Sequence, residues 1–132
     1  MEEKLRKIKA FAFDVDGVLT DGGLLADLNG EFYRVFDAKD GMALRMASMQ
    51  GYGLCIITGG RSQSITRRFI ASGIKEEDIY LGSRDKMEQF TDYCTRHSLA
   101  PDEVMYFGDD LPDIPVMAAC GCGVCPCDAV DE

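Results

Sequence analysis

The sequence has few positive charges compared with its negative ones. Its 132 residues contain 14 Lys and Arg against 23 Asp and Glu, which gives a net charge of −9. This excess of negative charge argues against binding to nucleic acid or to an anionic membrane surface, because both need clustered Lys and Arg. An anionic substrate would need a local source of positive charge.

Membrane and targeting signals are also lacking. No apolar run approaches the roughly 20 residues that a membrane-spanning helix needs. The N-terminal "MEEKLRKIKAFAF" has no small-residue cleavage site, so we expect a cytoplasmic protein. No repeat, low-complexity segment or linker divides the chain, and a single domain over residues 1–132 is expected.

Short apolar runs alternate with helical patterns along the chain. Strands are predicted within 8–15, 54–60, 78–86, 102–113 and 122–125, and helices within 37–53, 62–73, 86–98 and 114–121. Between the first strand and the first helix, residues 22–36 hold two apolar segments around Asn29-Gly30, a pair typical of a tight β-hairpin turn. Alternating strands and helices predict right-handed βαβ units. The expected fold class is therefore α/β, a three-layer, doubly wound, Rossmann-like parallel sheet with a hairpin inserted after strand one.

The first long helix has sequence signals at both ends. Asp40 is a candidate N-cap, and Gly51 is a candidate for the position just after the C-terminus. Met42, Met46 and Met49 fall between them, and we expect these methionines to lie in the core.

Acids and phosphate-binding residue types follow the ends of four predicted strands. Loops at the carboxyl ends of parallel strands line a common crevice, so these residues should meet although they are far apart in sequence. The loops supply the following residues: Asp14 and Asp16; Thr58, Gly59 and Gly60; Lys86; Asp109 and Asp110.

These residue types suit phosphoryl transfer. Carboxylates from two loops are the hard oxygen ligands that Mg²⁺ prefers, and the ion would neutralise their mutual repulsion. A Lys ammonium, a Thr hydroxyl and Gly-exposed N–H groups can hold phosphoryl oxygens. One Asp could attack phosphorus, while another two residues on protonates the departing oxygen and then activates water. A calcium-binding loop that began at Asp14 would need Gly at its sixth position and Glu at its twelfth. The sequence has Leu19 and Leu25 at these positions, so it does not match such a loop.

Four motifs carry a resemblance to a known group of enzymes. "DVDGVLTD", "ITGG", Lys86 in "GSRDK" and "GDDLPD" resemble, in the same order, the motifs of haloacid dehalogenase-superfamily phosphatases. A hairpin directly after the first motif, with no cap domain, resembles the capless subgroup that hydrolyses 3-deoxy-D-manno-octulosonate 8-phosphate. The resemblance implies a Mg²⁺-dependent phosphatase for a phosphorylated sugar acid, working through an aspartyl-phosphate and assembled as a homotetramer through its hairpins.

The resemblance also implies a role for each motif residue. Asp14 matches the nucleophile and a metal ligand, Asp16 matches the acid/base and binds the metal through its backbone carbonyl, and Asp109 matches the third protein ligand of the metal. Thr58, Gly59 and Lys86 match residues that hold the phosphate. Asp110 and Asp113 match supporting acids, and Arg68 matches an arginine that faces the sugar-acid carboxylate.

The sequence departs from the subgroup at two places. Members of the subgroup usually have Arg directly after "TG", whereas here Gly60 holds that position and Arg61 follows. They also continue beyond the final "DAVDE" with a further helix and a Gly-rich tail, neither of which is in this sequence.

Other functions remain open at this stage. A nonulosonate 9-phosphate is an alternative substrate, because the capless subgroup includes phosphatases of that kind. In a different class, the chain could be a phosphoacceptor domain or a catalytically idle oligomerisation domain. The phosphoacceptor hypothesis is disfavoured because such domains carry the acceptor Asp on a middle strand, where this chain has Thr58.

Cysteine and histidine add little to the functional argument. Cys120, Cys122, Cys125 and Cys127 form a C-x-C-x-x-C-x-C pattern that resembles a soft-metal site. Strand alternation would point neighbouring thiols to opposite faces, which favours simple packing over metal binding. His97 is the one histidine, and we expect it to be exposed and without a catalytic role.

Overall fold

The computed structural model describes residues 2–108 and 111–125. Its strands are β1 (Ala10–Phe13), β2 (Leu25–Ala26), β3 (Phe32–Tyr33), β4 (Gly53–Ile57), β5 (Ile79–Tyr80), β6 (Val104–Phe107) and β7 (Cys122–Val124). Its α-helices are α1 (Glu2–Arg6), α2 (Ala38–Met49), α3 (Gln63–Ala71), α4 (Lys86–Arg96) and α5 (Ile114–Ala119). Five strands pair in parallel in the order β5-β4-β1-β6-β7, as the alternation of strands and helices predicted.

Side-chain alternation along the strands builds two separate cores. Ala10 and Ala12 of β1 point to one face, where they pack with residues of α4 and α5 such as Phe90 and Val116. Leu54 and Ile56 of β4 point to the other face and pack with α2 and α3. The protein therefore has three layers, and the predicted α/β class is confirmed.

The predicted hairpin is present, but its turn differs from the prediction. Strands β2 and β3 pair antiparallel as a two-stranded sheet of their own. The Asp27 N–H donates to the Glu31 carbonyl, and the Asp27 side chain accepts from the Asn29 and Glu31 N–H groups. Only Gly30 of the Asn29-Gly30 pair has a positive φ, at 81°. The connection is thus a longer loop closed by Asp27 rather than a two-residue turn.

Helix α2 corrects two predictions. The N-cap is Asp37, whose side chain accepts the Lys39 N–H, and Asp40 lies within the first turn. The methionines at positions 42, 46 and 49 are exposed rather than buried. The reason is the orientation of the helix, because Gly41 and Leu44 are the residues that it buries. The prediction for Gly51 holds, since it follows the helix with a φ of 93°.

Helix α1 was not predicted from the sequence. Its five residues are all exposed, so it has no apolar periodicity that could have revealed it. Across residues 2–108 and 111–125, none of the helices has the length and apolar character that crossing a membrane requires.

Candidate active site

The carboxyl ends of the central strands bring most of the predicted residues together. Asp14 follows β1, Thr58 follows β4, and Lys86 begins α4, with Asp85 as its N-cap. Asp113 lies in a 3₁₀ turn between β6 and α5. The side chains of Asp14, Thr58, Lys86 and Asp113 are at least nine-tenths buried, so the site is part of the core and not a surface cluster.

Asp14 is a buried carboxylate with two close donors. Its Oδ1 accepts the Val15 N–H at 2.7 Å and lies 3.1 Å from Lys86 Nζ. Burial raises the pKa of Asp14 to about 7, and the charge of Asp113 acts in the same direction, whereas Lys86 opposes them. Loss of hydration is the dominant influence on this carboxylate.

Lys86 joins Asp14 to a second buried acid. Its Nζ lies 2.7 Å from Asp113 Oδ1, which also accepts the Tyr106 hydroxyl at 2.5 Å. Burial raises the pKa of Tyr106 above its usual value, which keeps this phenol a hydrogen donor. Gly108 makes the arrangement possible, because a Cβ at that position would lie 2.6 Å from the Asp113 carboxyl carbon.

Thr58 fixes the loop after β4. Its N–H donates to the Tyr80 carbonyl, and its Oγ1 accepts the Gly60 N–H at 3.1 Å. A hydroxyl that accepts one hydrogen bond can still donate its own hydrogen. The loop thus presents a buried hydroxyl beside Gly59, as a phosphate-holding segment requires.

A cleft of about 560 Å³ lies between this loop and the hairpin. Six of its lining residues bear on the argument: Asp16, Leu24, Arg34, Gly59, Gly60 and Arg61. The Asp16 side chain is 31% exposed. Asp16 is therefore the predicted catalytic acid that opens to the cleft, while Asp14 lies deeper.

Arg34 is a site residue that the sequence did not reveal. It follows β3, and its side chain, 3% exposed, makes a two-point contact with Asp16: Nε to Oδ1 at 2.6 Å and Nη2 to Oδ2 at 3.1 Å. The contact joins residues 18 positions apart through the fold of the hairpin. No spacing rule signals such a contact, and the only available hint was an Arg in the hairpin of an acidic chain.

Arg68 lies away from the residues that line the cleft. Its Nη2 donates to the Asp37 carbonyl at 3.0 Å, and its guanidinium carbon lies 5.9 Å from the centre of the Phe36 ring. A Cβ at Gly41 would come within 2.5 Å of the same Nη2. Arg68 thus joins α3 to the start of α2, and its role in substrate binding remains a prediction.

The remaining predictions fall partly outside the described residues. Asp109 and Asp110 lie outside them, as does Cys127. Cys120 donates its thiol hydrogen to the Met117 carbonyl, Cys122 lies in β7, and Cys125 is exposed. In the part of the chain that the structure describes, no three His, Cys, Asp or Glu side chains are grouped as a metal site. His97 is exposed, as predicted, and contacts Asp78 at 2.8 Å.

Comparison with known proteins identifies the family. No protein-family model matches the sequence. The 3-deoxy-D-manno-octulosonate 8-phosphate phosphatase of Haemophilus influenzae is 36% identical over 129 residues, which are 98% of this chain and 71% of that protein. The chain belongs to this phosphatase family. It is also 36% identical to the corresponding enzyme of Escherichia coli K12 over 126 residues, which are 96% of this chain and 66% of that protein.

A solved structure of the family supports the same assignment. The 3-deoxy-D-manno-octulosonate 8-phosphate phosphatase of Moraxella catarrhalis superposes with a TM-score of 0.93 at 32% identity, covering 98% of this chain and 74% of that one. That structure is described as a complex with magnesium, phosphate and the sugar acid. Membership of the haloacid dehalogenase superfamily, inferred from the four motifs, is confirmed. This chain spans about two thirds of the length of the curated relatives that it matches.

Proposed function

We propose that this protein is a Mg²⁺-dependent phosphatase that converts 3-deoxy-D-manno-octulosonate 8-phosphate into the free sugar acid and phosphate. The observation that carries the proposal is the position of Asp14 and Asp16. Both follow β1, with Lys86 Nζ 3.1 Å from Asp14 and a cleft of about 560 Å³ beside Asp16. Membership of the phosphatase family supplies the substrate.

Asp14 and Asp16 divide the chemistry between them. An oxygen of the Asp14 carboxylate attacks phosphorus, the bond from phosphorus to the ester oxygen breaks, and the departing oxygen takes a proton from Asp16. The result is an aspartyl-phosphate and the free sugar acid. Asp16 then takes a proton from water, whose oxygen attacks phosphorus. The bond from phosphorus to the Asp14 oxygen breaks, which releases phosphate and restores both carboxyl groups.

The donor set fits a magnesium ion. The residues that would hold it are Asp14 through its carboxylate, Asp16 through its backbone carbonyl, and Asp109, with Asp110 and Asp113 in support. Hard oxygen ligands suit this ion, and a buried Asp14 whose pKa is raised by desolvation has a clear need for a cation. When bound, Mg²⁺ supplies neutralisation of the negative charge on the phosphoryl oxygens.

Thr58, Gly59 and Lys86 are proposed to hold the phosphoryl group. Lys86 already lies within hydrogen-bond distance of the Asp14 oxygen, so its ammonium is close to any phosphoryl group that forms there. It is nevertheless shared with Asp113. We propose that Asp113 aims the Lys86 ammonium and does not itself contact substrate.

The hairpin supports a proposal about assembly. It exposes large apolar side chains, with Leu25 70% and Leu28 fully exposed, and Val35 beyond β3 84% exposed. An apolar patch of this kind is typical of a protein contact surface. We propose a homotetramer formed through the hairpins. A single domain over residues 1–132 and a cytoplasmic location stay predictions of the sequence.

Release of inorganic phosphate tests the proposed function. The purified protein is assayed with and without Mg²⁺ on octulosonate 8-phosphate and on nonulosonate 9-phosphate, and kcat/KM is compared. We expect Mg²⁺-dependent release and a higher kcat/KM for the octulosonate. A higher kcat/KM for nonulosonate 9-phosphate would show that the alternative substrate is the correct one. No release of phosphate from either substrate would overturn the proposal.

Two matched variants complete this experiment. Asp14→Asn removes the nucleophile and should abolish phosphate release. Asp21→Asn is the control, because Asp21 lies in the same loop and its side chain accepts the Gly23 N–H, which an Asn can also do. The control should retain wild-type activity.

A further inference from the structure

Arg34 and Asp16 make a two-point contact at the rim of the cleft. Nε and Nη2 of the guanidinium meet the two carboxylate oxygens at 2.6 and 3.1 Å. We propose that Arg34 is a positioning residue, which fixes the plane of the Asp16 carboxylate for proton transfer to the leaving group. The inference rests on the proposed function, because it assigns Asp16 the role of acid and base.

The geometry of the contact is compatible with proton transfer. A carboxylate offers about four lone-pair positions, and a side-on arginine fork uses one on each oxygen. The remaining positions stay available on the 31% of the Asp16 side chain that is exposed. Arg34 itself is 3% exposed, so its own rotamer is fixed by packing and it can hold Asp16 in one orientation.

Arg34 is placed at a cost in hydrogen bonding. Its Nη1 is buried and has no hydrogen-bond partner among the described residues. Buried polar nitrogens are nearly always paired in folded proteins, so an exception needs an explanation. The two nitrogens that are paired are the ones that hold Asp16, so the position of the side chain favours this contact over pairing of the whole guanidinium.

Gly60 provides the space that Arg34 occupies. A Cβ at position 60 would lie 2.7 Å from Arg34 Nη2 and 2.9 Å from Ile65 Cδ1. This is the position after "TG" where an arginine is usual in the enzymes that the motifs resemble. Here the space beside the loop holds a guanidinium that arrives from the hairpin instead. The absence of a side chain at Gly60 therefore leaves room for Arg34 beside Asp16.

A direct contact between Arg34 and the sugar acid is the competing explanation. The guanidinium does line the cleft, but almost all of its surface is already covered by protein. A ligand carboxylate would have little of Arg34 to touch. The burial favours an action through Asp16.

Leaving-group dependence separates the two explanations. The protein and its Arg34→Met, Arg34→Lys and Arg45→Met variants are assayed with three substrates: the sugar-acid phosphate, a neutral sugar phosphate and p-nitrophenyl phosphate. Both sugar phosphates release an alkoxide that needs a proton, whereas p-nitrophenolate leaves without one. Arg45, exposed on α2 and bonded to the Ala71 carbonyl, is the matched control.

The expected result is a loss confined to substrates that need the proton. Arg34→Met should lower kcat/KM on both sugar phosphates by about tenfold to a hundredfold, because kcat/KM reports the steps up to departure of the leaving group and a positioned general acid contributes at least that much. Its kcat/KM on p-nitrophenyl phosphate should change by less than about threefold, whereas kcat can fall on all three substrates because Asp16 also activates the water that releases phosphate. Arg34→Lys should recover part of the loss, and Arg45→Met should match the wild type. An equal loss of kcat/KM on all three substrates, or a loss confined to the sugar-acid phosphate, would overturn the proposal.

A melting experiment provides a readout that is independent of activity. Tm is measured without metal for Arg34→Met, Asp16→Asn and the double variant. If the two residues act as a pair, the double variant melts above the temperature expected from adding the two single shifts. If the Tm shift of the double variant equals the sum of the two single shifts, the two side chains do not act as a pair and the proposal is overturned. If the wild type hydrolyses none of the substrates, the proposed function fails and with it the positioning role, while the melting data still decide whether the two side chains are coupled.

Discussion

Lys86 and Asp113 form a buried ion pair, with Nζ 2.7 Å from Oδ1 and neither side chain more than 7% exposed. Its position behind Asp14 links the stability of the core to the geometry of the site. Removing one partner of a buried pair leaves the other charge without compensation, which is more costly than losing the attraction itself.

Asp113→Ala should therefore destabilise the protein strongly. We expect a loss of about 3–5 kcal/mol in the free energy of unfolding, because the Tyr106 hydroxyl loses its acceptor and Lys86 keeps only Asp14, a carboxylate whose charged form is disfavoured by burial. Urea denaturation followed by circular dichroism measures it. Lys9→Ala is the matched control, since it breaks the surface ion pair of a 66%-exposed lysine with Glu103 and leaves the bond from the Ala100 N–H to Glu103 intact, so it should cost far less. Similar losses for the two variants would contradict this account of the site.

Asp14 should make the metal-free protein less stable at higher pH. Its folded-state pKa is raised from 3.8 to about 7 by burial, so the folded state holds a proton that the unfolded state has lost between these values. Stability falls with rising pH wherever the folded state binds more protons. Thermal unfolding with chelator present should show wild type losing Tm relative to Asp14→Asn as pH rises through this window, with no further relative change above about pH 8. A relative gain in Tm over the same window would contradict the assignment.

Arg61 should contribute to substrate binding. It lines the cleft, and its side chain passes over the backbone of Gly82. Since a hydrogen bond to a charged group contributes about 1.5–3 kcal/mol, Arg61→Ala should raise KM for the sugar-acid phosphate by about tenfold or more. Arg67→Ala, on the exposed surface of α3, is the control and should leave KM unchanged. An unchanged KM for Arg61→Ala would remove this residue from the substrate site.

The hairpin should control assembly. Leu25→Asp and Leu28→Asp place a charge on its exposed apolar surface, and such a charge would be desolvated in any interface formed there. Light scattering coupled to size-exclusion chromatography should give a tetramer for the wild type and smaller species for both variants. Leu5→Asp alters an exposed leucine outside the hairpin and should remain tetrameric. A monomeric wild type would contradict the proposed assembly.

The sequence predicted the fold and the core of the site for a clear reason. Strands such as 54–60 are short, apolar and bounded by turn residues, and parallel pairing then carries their last residues to one edge. Asp14, Thr58 and Lys86 could be assigned to that edge because the topology alone brings them there.

Features that depend on orientation could not be read in the same way. The rotation of α2 about its axis, which buries Leu44 and exposes Met46, depends on the packing of the whole layer. The contact between Arg34 and Asp16 depends on how the hairpin folds back over the sheet edge. Arg68 matched a substrate residue by position, yet its guanidinium reaches the start of α2. In each case the periodicity of the chain leaves the side-chain direction open.

The most direct test of the central claim is chemical trapping of the covalent intermediate on Asp14. The protein is mixed with octulosonate 8-phosphate and Mg²⁺, quenched in acid within one turnover and reduced with borohydride, which converts an aspartyl-phosphate into homoserine. Peptide mapping by mass spectrometry should then find homoserine at position 14 in the wild type and none in a sample without substrate. Release of phosphate with position 14 unmodified, or with another residue reduced instead, would contradict the assignment of Asp14 as the nucleophile.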